Sequence, residues 1–172
     1  IRVGTNVESV GQSEEYIKHA KKRHMQVMAN YMKSYAATPE EFSEAVKRSE
    51  AWGADLIYIV DSAGNMIPED IERYFEAIRN CSDKIKVGFH GHDNIGLALS
   101  NSLFAVELGM YFIDCSLQGI GRSSGNTCLE HFAVCLQRMG YDMPVDMVSL
   151  LLDSKKYIYP FIKKGGINPI DT

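Results

Sequence analysis

The chain has 172 residues, 45% hydrophobic and 23% charged, with a formal net charge of −4. That length supports one ordinary domain, the composition is globular, and no apolar run approaches the roughly 20 residues of a membrane span. Disordered, fibrous and transmembrane classes are excluded. One small basic cluster, Lys18, Lys21, Lys22 and Arg23 at a predicted helix end, offers no nucleic-acid surface. Cys81, Cys115, Cys128 and Cys135 lack CxxC spacing and no secretory leader precedes them, so they read as reduced thiols of a cytoplasmic protein.

Short β-rich runs alternate with amphipathic helical stretches, the pattern of βα units around a parallel sheet. Residues 1–6, 26–32, 55–60, 85–89 and 111–117 read as strands, with starts from the second onward about 25 to 30 residues apart. Thr38, Pro39 and Glu41 predict an N-cap, a first helical position and a capping-box acid, and Phe42, Ala45, Val46, Ser49 and Trp52 follow at helical spacing up to Gly53. Ile71, Tyr74, Phe75 and Ile78 repeat the pattern, as do Leu129, Phe132, Ala133, Leu136 and Met139 before Gly140. Residues 95–108 are apolar around more of the circumference, interrupted by Ser100, Asn101 and Ser102. Beyond Pro144, residues 147–152 read as a further helix, and Pro160, Gly165, Gly166 and Pro169 as a looser end.

Two architectures fit, an open doubly wound sheet or part of a (β/α)8 barrel, since five strands cannot close a barrel that needs about 250 residues. On the barrel reading, residues 1–172 form a single catalytic domain of α/β class, incomplete on the N-terminal side and truncated on the C-terminal side. A chain that opens at Ile1 directly in a strand points the same way. Either architecture builds its active face from loops after strand ends. The polar residues fall there: Asn6; Asn30 and Lys33; Asp61 and Ser62; His90 and His92; Asp114 and Ser116.

The sharpest motif is Gly88-Phe89-His90-Gly91-His92-Asp93-Asn94. Residues two apart on an extended segment point the same way, so His90 and His92 can offer two imidazole nitrogens to one metal. Five histidines placed at random give such a pair roughly once in seven chains, so two unrelated loop histidines stay open as the alternative. Gln118-Gly119-Ile120-Gly121-Arg122-Ser123-Ser124-Gly125-Asn126-Thr127 can bring backbone N–H groups and a helix start near Thr127 to an anion, or can be a flexible turn. Its GxGxxxG spacing is a weak match to a dinucleotide-binding loop, because the third glycine is displaced by one position. Asp61 and Ser62 can bind a carboxylate or a metal-bound water, or cap the following turn, while Tyr31, Lys33 and Tyr35 can bind or cover a barrel mouth.

Taken together, the histidine motif with Ile95-Gly96-Leu97-Ala98, Asn101-Ser102, Ala105-Val106 and Gly109, and then Gly119-Ile120-Gly121, Gly125-Asn126 and Leu129-Glu130, resembles the later half of the HMG-CoA lyase-like metal-dependent barrels. Tyr58-Ile59-Val60-Asp61-Ser62-Ala63-Gly64 and Ile1-Arg2-Val3-Gly4-Thr5 look most like that family's 4-hydroxy-2-oxovalerate aldolase branch. The resemblance implies Mn²⁺ or Mg²⁺ held by His90 and His92, with Asn126 as a further ligand or a loop-shaping residue, and Ser62 at the pyruvate end of the substrate. It also implies cleavage of a 4-hydroxy-2-oxo acid to pyruvate and an aldehyde. The family's Arg-Asp motif and the histidine base after it have no counterpart here and are expected upstream of Ile1, so these residues alone are expected to be inactive.

Two other functions remain as alternatives. A synthase condensing an acyl-CoA with a 2-oxo acid is disfavoured by Arg122, Ser123 and Ser124 in the glycine loop and by Asp93-Asn94 after the histidines, and the loop lacks the cysteine of HMG-CoA lyases. A barrel-derived, non-catalytic scaffold is the other. The resemblance further implies a small 2-oxo acid as the binding partner, leaves a homo-oligomer open, and in some aldolases of this branch includes an aldehyde dehydrogenase partner.

Overall fold

The computed structural model describes residues 1–165. Five strands, β1 (Arg2–Asn6), β2 (Met28–Met32), β3 (Leu56–Asp61), β4 (Lys86–Gly91) and β5 (Phe112–Ile113), form one parallel sheet in the order β1-β2-β3-β4-β5. Helices α1 (Glu14–Lys22), α2 (Pro39–Trp52), α3 (Pro68–Cys81) and α4 (Ala98–Glu107) connect them, and α5 (Leu129–Arg138) follows. A doubly wound sheet reverses its strand order at a switch point, whereas this sheet advances one strand per crossover, as a barrel does.

The curl of the sheet is measured by one ion pair. In a flat sheet β1 and β5 would lie about 19 Å apart, four spacings of about 4.8 Å, beyond the roughly 10 Å that an arginine and an aspartate side chain span together. Yet Arg2 on β1 meets Asp114, just past β5, with Nη1 to Oδ2 at 2.6 Å and Nη2 to Oδ1 at 2.8 Å. The sheet is therefore strongly bent, and the first and fifth strands face each other across an interior. The open-sheet alternative is set aside.

Alternation then assigns the faces. Ile57 and Ile59 of β3 pair with Val87 and Phe89 of β4 and pack outward with Phe42, Val46, Ile71 and Ile78 of the helices, the main core. Leu56, Tyr58 and Val60 form a separate inner cluster with Met28 and Phe112. Because Val60 pairs with His90, the period of two puts His90 on the inner face.

Several elements follow the local rules. Thr38 accepts from Glu41 N–H while Glu41 accepts from Thr38 N–H, Pro39 opens α2, and Gly53 closes it at φ 101. The basic cluster sits at the end of α1, where Lys18 pairs with Glu14 and Lys21 with Asp55. Others differ. The fifth strand is two residues long, because Ser116 leaves β4 to bridge Cys128 in the glycine loop. Residues 95–97 form a turn before α4, and Asn101 and Ser102, read as its polar interruption, are buried, bonding to Met66 O and the Thr127 hydroxyl. The predicted C-terminal helix continues from α6 (Met147–Asp153) through a π-helical turn at Ser154–Ile158 into α7 (Tyr159–Gly165), so Pro160 and Gly165 lie within helical structure. Gly166 and Pro169 lie outside the described residues. All four cysteines are free, and among the described residues no helix is long and apolar enough to cross a membrane.

Candidate active site

The strand ends enclose a cavity of about 350 Å³ lined by Arg2, Asn6, Asn30, Met32, Lys33, Val60, Ser62, His90, His92 and Arg122. Of the residues singled out in sequence, Asn6, Asn30, Lys33, Ser62, His90 and His92 thus come together. The two imidazole rings are edge to face with centroids 5.1 Å apart.

The histidine segment is held from both sides. His92 N–H donates to Asp61 O at 3.2 Å on the β3 side, and Asp93 N–H donates to Gly125 O at 3.0 Å in the glycine loop, where His92 and Asn126 form an antiparallel bridge. Asn94 joins the same three segments, donating to Ala63 O and accepting from Ser124 N–H. The approach is close enough to need glycine. A Cβ at Gly64, φ 61, would stand 2.7 to 2.8 Å from the backbone of His92 and Asn94, and one at Gly125, φ 100, would collide with Gly119 O.

His90 Nδ1 lies 2.9 Å from Asp114 Oδ2. Burial alone would raise the Asp114 carboxyl, but hydrogen bonds from His90 and Arg2 and the Arg2 charge hold it down at about 2. An ionised carboxylate only accepts, so Nδ1 carries the proton and a neutral His90 keeps its lone pair on Nε2. Arg2 also donates to Tyr58 OH at 2.6 Å and lies over that ring. Burial and the Asp114 charge push the Tyr58 hydroxyl up to about 12, so it stays protonated. His92 is pushed below the usual histidine range by burial, then by His90 and Arg122. The Arg122 and Gly125 backbone beside the ring partly offsets that push, while its buried Nδ1 makes no hydrogen bond of full geometry.

That orphaned nitrogen fits a cation site, since a buried unpaired polar atom is costly unless a ligand completes it. Two neutral imidazoles suit a divalent transition ion. Among the described residues no group of three or more His, Cys, Asp or Glu could hold a metal, so these strands supply a pair of donors. Asn126 lies differently. Its side chain lines a neighbouring hollow with Asp93, Gln118, Ser124 and His131, its Nδ2 donates to Ile120 O at 3.3 Å, and its Oδ1 is buried without a partner.

Ser62 accepts from Lys33 N–H at 2.9 Å through Oγ and from Arg122 Nη2 at 2.6 Å through its carbonyl, leaving its own hydroxyl proton to donate. Asp61 is fully buried and caps the turn after β3, accepting from Asn65 and Met66 N–H. Tyr31 points away from the mouth to bond the Ser49 hydroxyl of α2, whereas Tyr35 lines a second cavity beside the first.

Three contributors escaped the sequence reading. Arg2 alternates with Val3 and shares the inner register of Gly4 and Asn6, a signal available in the strand itself. Arg122 stands out in the sequence only as a departure within the glycine loop. Glu130 enters only as part of the Leu129-Glu130 match, and nothing local signals its role. Its buried carboxylate accepts from Gln118 N–H at 2.9 Å, Gln118 Nε2 at 2.7 Å and the Ser154 hydroxyl, tying the glycine loop to the π-helical turn.

Comparison with known proteins agrees with the fold. The chain is 34% identical over 167 residues to 4-hydroxy-2-oxovalerate aldolase of Carboxydothermus hydrogenoformans, covering 97% of this chain and 49% of that one. It is 36% identical over 158 residues to the enzyme of the same name from Thermus thermophilus, covering 92% and 45%. The chain thus spans about half the length of the curated relatives it matches. Among solved structures, the N-terminal domain of a Bacteroides vulgatus protein provisionally described as an aldolase superposes with a TM-score of 0.85 at 29% identity, covering 98% of this chain and 55% of that one. HMG-CoA lyase of Bacillus subtilis shares the fold at 21% identity and a TM-score of 0.83, covering 99% and 64%. A sequence profile matches residues 3–155, and on that match the chain belongs to the HMGL-like family.

Proposed function

We propose that this chain carries part of the active site of a divalent-metal-dependent aldolase that cleaves a 4-hydroxy-2-oxo acid of the 4-hydroxy-2-oxovalerate type to pyruvate and an aldehyde. The observation that carries the reading is the pair of neighbouring imidazoles at the barrel mouth, with His92 Nδ1 buried and unpartnered and His90 oriented by an ionised carboxylate. The curated relatives' names support the substrate type.

In this reading His90, through Nε2, and His92 hold Mn²⁺ or Mg²⁺. A bound cation of that kind supplies Lewis-acid stabilisation of the enolate formed when the bond between C3 and C4 breaks. The chain's own residues orient and bind. Asp114 fixes the His90 tautomer, and Arg2 fixes Asp114. Ser62 donates its hydroxyl proton to the substrate carboxylate. Asn126 shapes the glycine loop through Ile120 O, which keeps Gly125 O on Asp93 N–H and the histidine segment in place.

The test has two parts. Mn²⁺ titrated into the chain by calorimetry should bind, and His92→Ala should weaken binding about tenfold or more. Pyruvate release from racemic 4-hydroxy-2-oxovalerate with Mn²⁺, by the gene product containing this chain, should fall in step. Unchanged metal affinity in the variant, or CoA-thiol release with an acyl-CoA and a 2-oxo acid in place of pyruvate release, would overturn the reading.

A further inference from the structure

We propose that the substrate of this site carries a second anionic group, a carboxylate or a phosphate, on the half that leaves as the aldehyde, and that Lys33 and Arg122 bind it. The inference rests on the aldolase reading above. Two loops bring these residues to one serine: Lys33 N–H donates to Ser62 Oγ, and Arg122 Nη2 donates to Ser62 O. Both placements use left-handed backbone that non-glycine residues rarely adopt, φ 58 at Lys33 itself and φ 60 at Ser123 beside Arg122.

Both cations line the histidine cavity and also an adjoining one of about 550 Å³, whose wall continues through Tyr35, Asn65, Asn94 and Ser123. No Asp or Glu lines either cavity. The charge of Arg2, the third cation, is matched by Asp114, whereas neither Lys33 nor Arg122 takes part in an ion pair among the described residues. Ser123 Oγ adds a buried hydroxyl with no hydrogen-bond partner on the wall of the second cavity.

These groups exceed what a single carboxylate uses. The 2-oxo acid's own carboxylate is satisfied by Ser62 and the cation at the histidines. Two further positive charges and an unused hydroxyl then face the space that the other half of the substrate would fill. Arg122 is held at Ser62 by its guanidinium and Lys33 by its backbone N–H, both residues are exposed, and an anion bound between them gains charge-assisted hydrogen bonds. A neutral, methyl-ended fragment would gain nothing from them.

The experiment is calorimetric binding to the full chain with Mn²⁺, using three 4-hydroxy-2-oxo acids. 4-Hydroxy-2-oxovalerate has one negative group, 4-hydroxy-2-oxoglutarate adds a carboxylate, and 2-oxo-3-deoxy-6-phosphogluconate adds a phosphate. At least one of the latter two should bind about tenfold or more tightly than the first, and which one does so separates the carboxylate from the phosphate. Arg122→Gln and Lys33→Asn, the latter compatible with left-handed backbone, should each collapse that ratio, and Arg122→Lys should keep most of it. Equal affinities for all three ligands would overturn the inference and leave the aldolase reading standing. Absence of binding by any of them would overturn the aldolase reading and the inference with it.

Discussion

Glu130 is 4% exposed and meets no cation, yet its carboxyl lies at about 2. Burial pushes it up, and bonds from Ser154 and from the Gln118 N–H and amide more than offset that. Against an ordinary value of about 4.5, the shift corresponds to at most about 3 kcal/mol of folding stability, which solvent screening at the carboxylate reduces to about 1 to 2 kcal/mol. Glu130→Gln removes the charge and turns one oxygen into a donor. Gln118 N–H lies within 3.1 Å of both oxygens, so one donor must then face another. An unmet buried donor costs about 1 to 3 kcal/mol, so we expect a loss of about 2 kcal/mol at pH 7 by urea denaturation.

The sign with pH follows from a folded value below the unfolded one. The contribution is complete above about 4.5 and is lost as pH falls through 4.5 toward 2. The gap between native chain and variant should therefore lose more than half its size between pH 7 and about pH 3. A variant within about 0.5 kcal/mol of the native chain at pH 7, or a gap independent of pH, would refute the claim that this carboxylate anchors the glycine loop to the π-helical turn.

Asp114→Asn should free the His90 tautomer, visible as a change in imidazole ¹⁵N shifts without metal, and lower Mn²⁺ affinity about tenfold or more; unchanged shifts would deny it an orienting role. Ser62→Ala should raise the Michaelis constant for the 2-oxo acid more than it lowers turnover, while an unchanged constant would confine Ser62 to the loop. Gly64→Ala should destabilise the chain by about 2 to 4 kcal/mol in urea, since left-handed backbone and a Cβ against the His92 backbone add together, and a tolerated alanine would show that the two loops can separate.

What could be read in advance divides by range. The crossover pattern, the capping box at Thr38 and the stop at Gly53 depend on residues close in sequence, and they stand where the pattern put them. The fifth strand is shorter than its pattern because Ser116 bridges to Cys128 across the glycine loop that follows it, a pairing the strand pattern does not encode. Likewise Asn101 and Ser102 look like a solvated interruption until Met66 O and Thr127 are known to wait inside. The histidine pair was legible from a spacing of two and a strand end. Its supports, Arg2 and Asp114, are 112 positions apart, and only the curl of the sheet makes them neighbours. Glu130 shows the limit most plainly, because an acid in the first turn of an amphipathic helix looks like any dipole-matching residue until Gln118 and Ser154 are placed around it.

The Arg2–Asp114 contact also has a place in time. Adjacent strands pair across 24 to 30 residues, as Arg2 with Met28, Met28 with Leu56, Leu56 with Lys86 and Gly88 with Phe112. The ion pair closes a loop of 112, which costs about 1 kcal/mol more in chain entropy than one neighbouring pairing if formed first. Zipping strand by strand removes most of that cost, so the contact belongs to the last stage of folding, after the intervening units have bent the sheet. Interactions made after the transition state govern escape from the native state. Arg2→Met should accordingly leave the refolding rate nearly unchanged and speed unfolding, making this pair a latch on the lifetime of the folded chain.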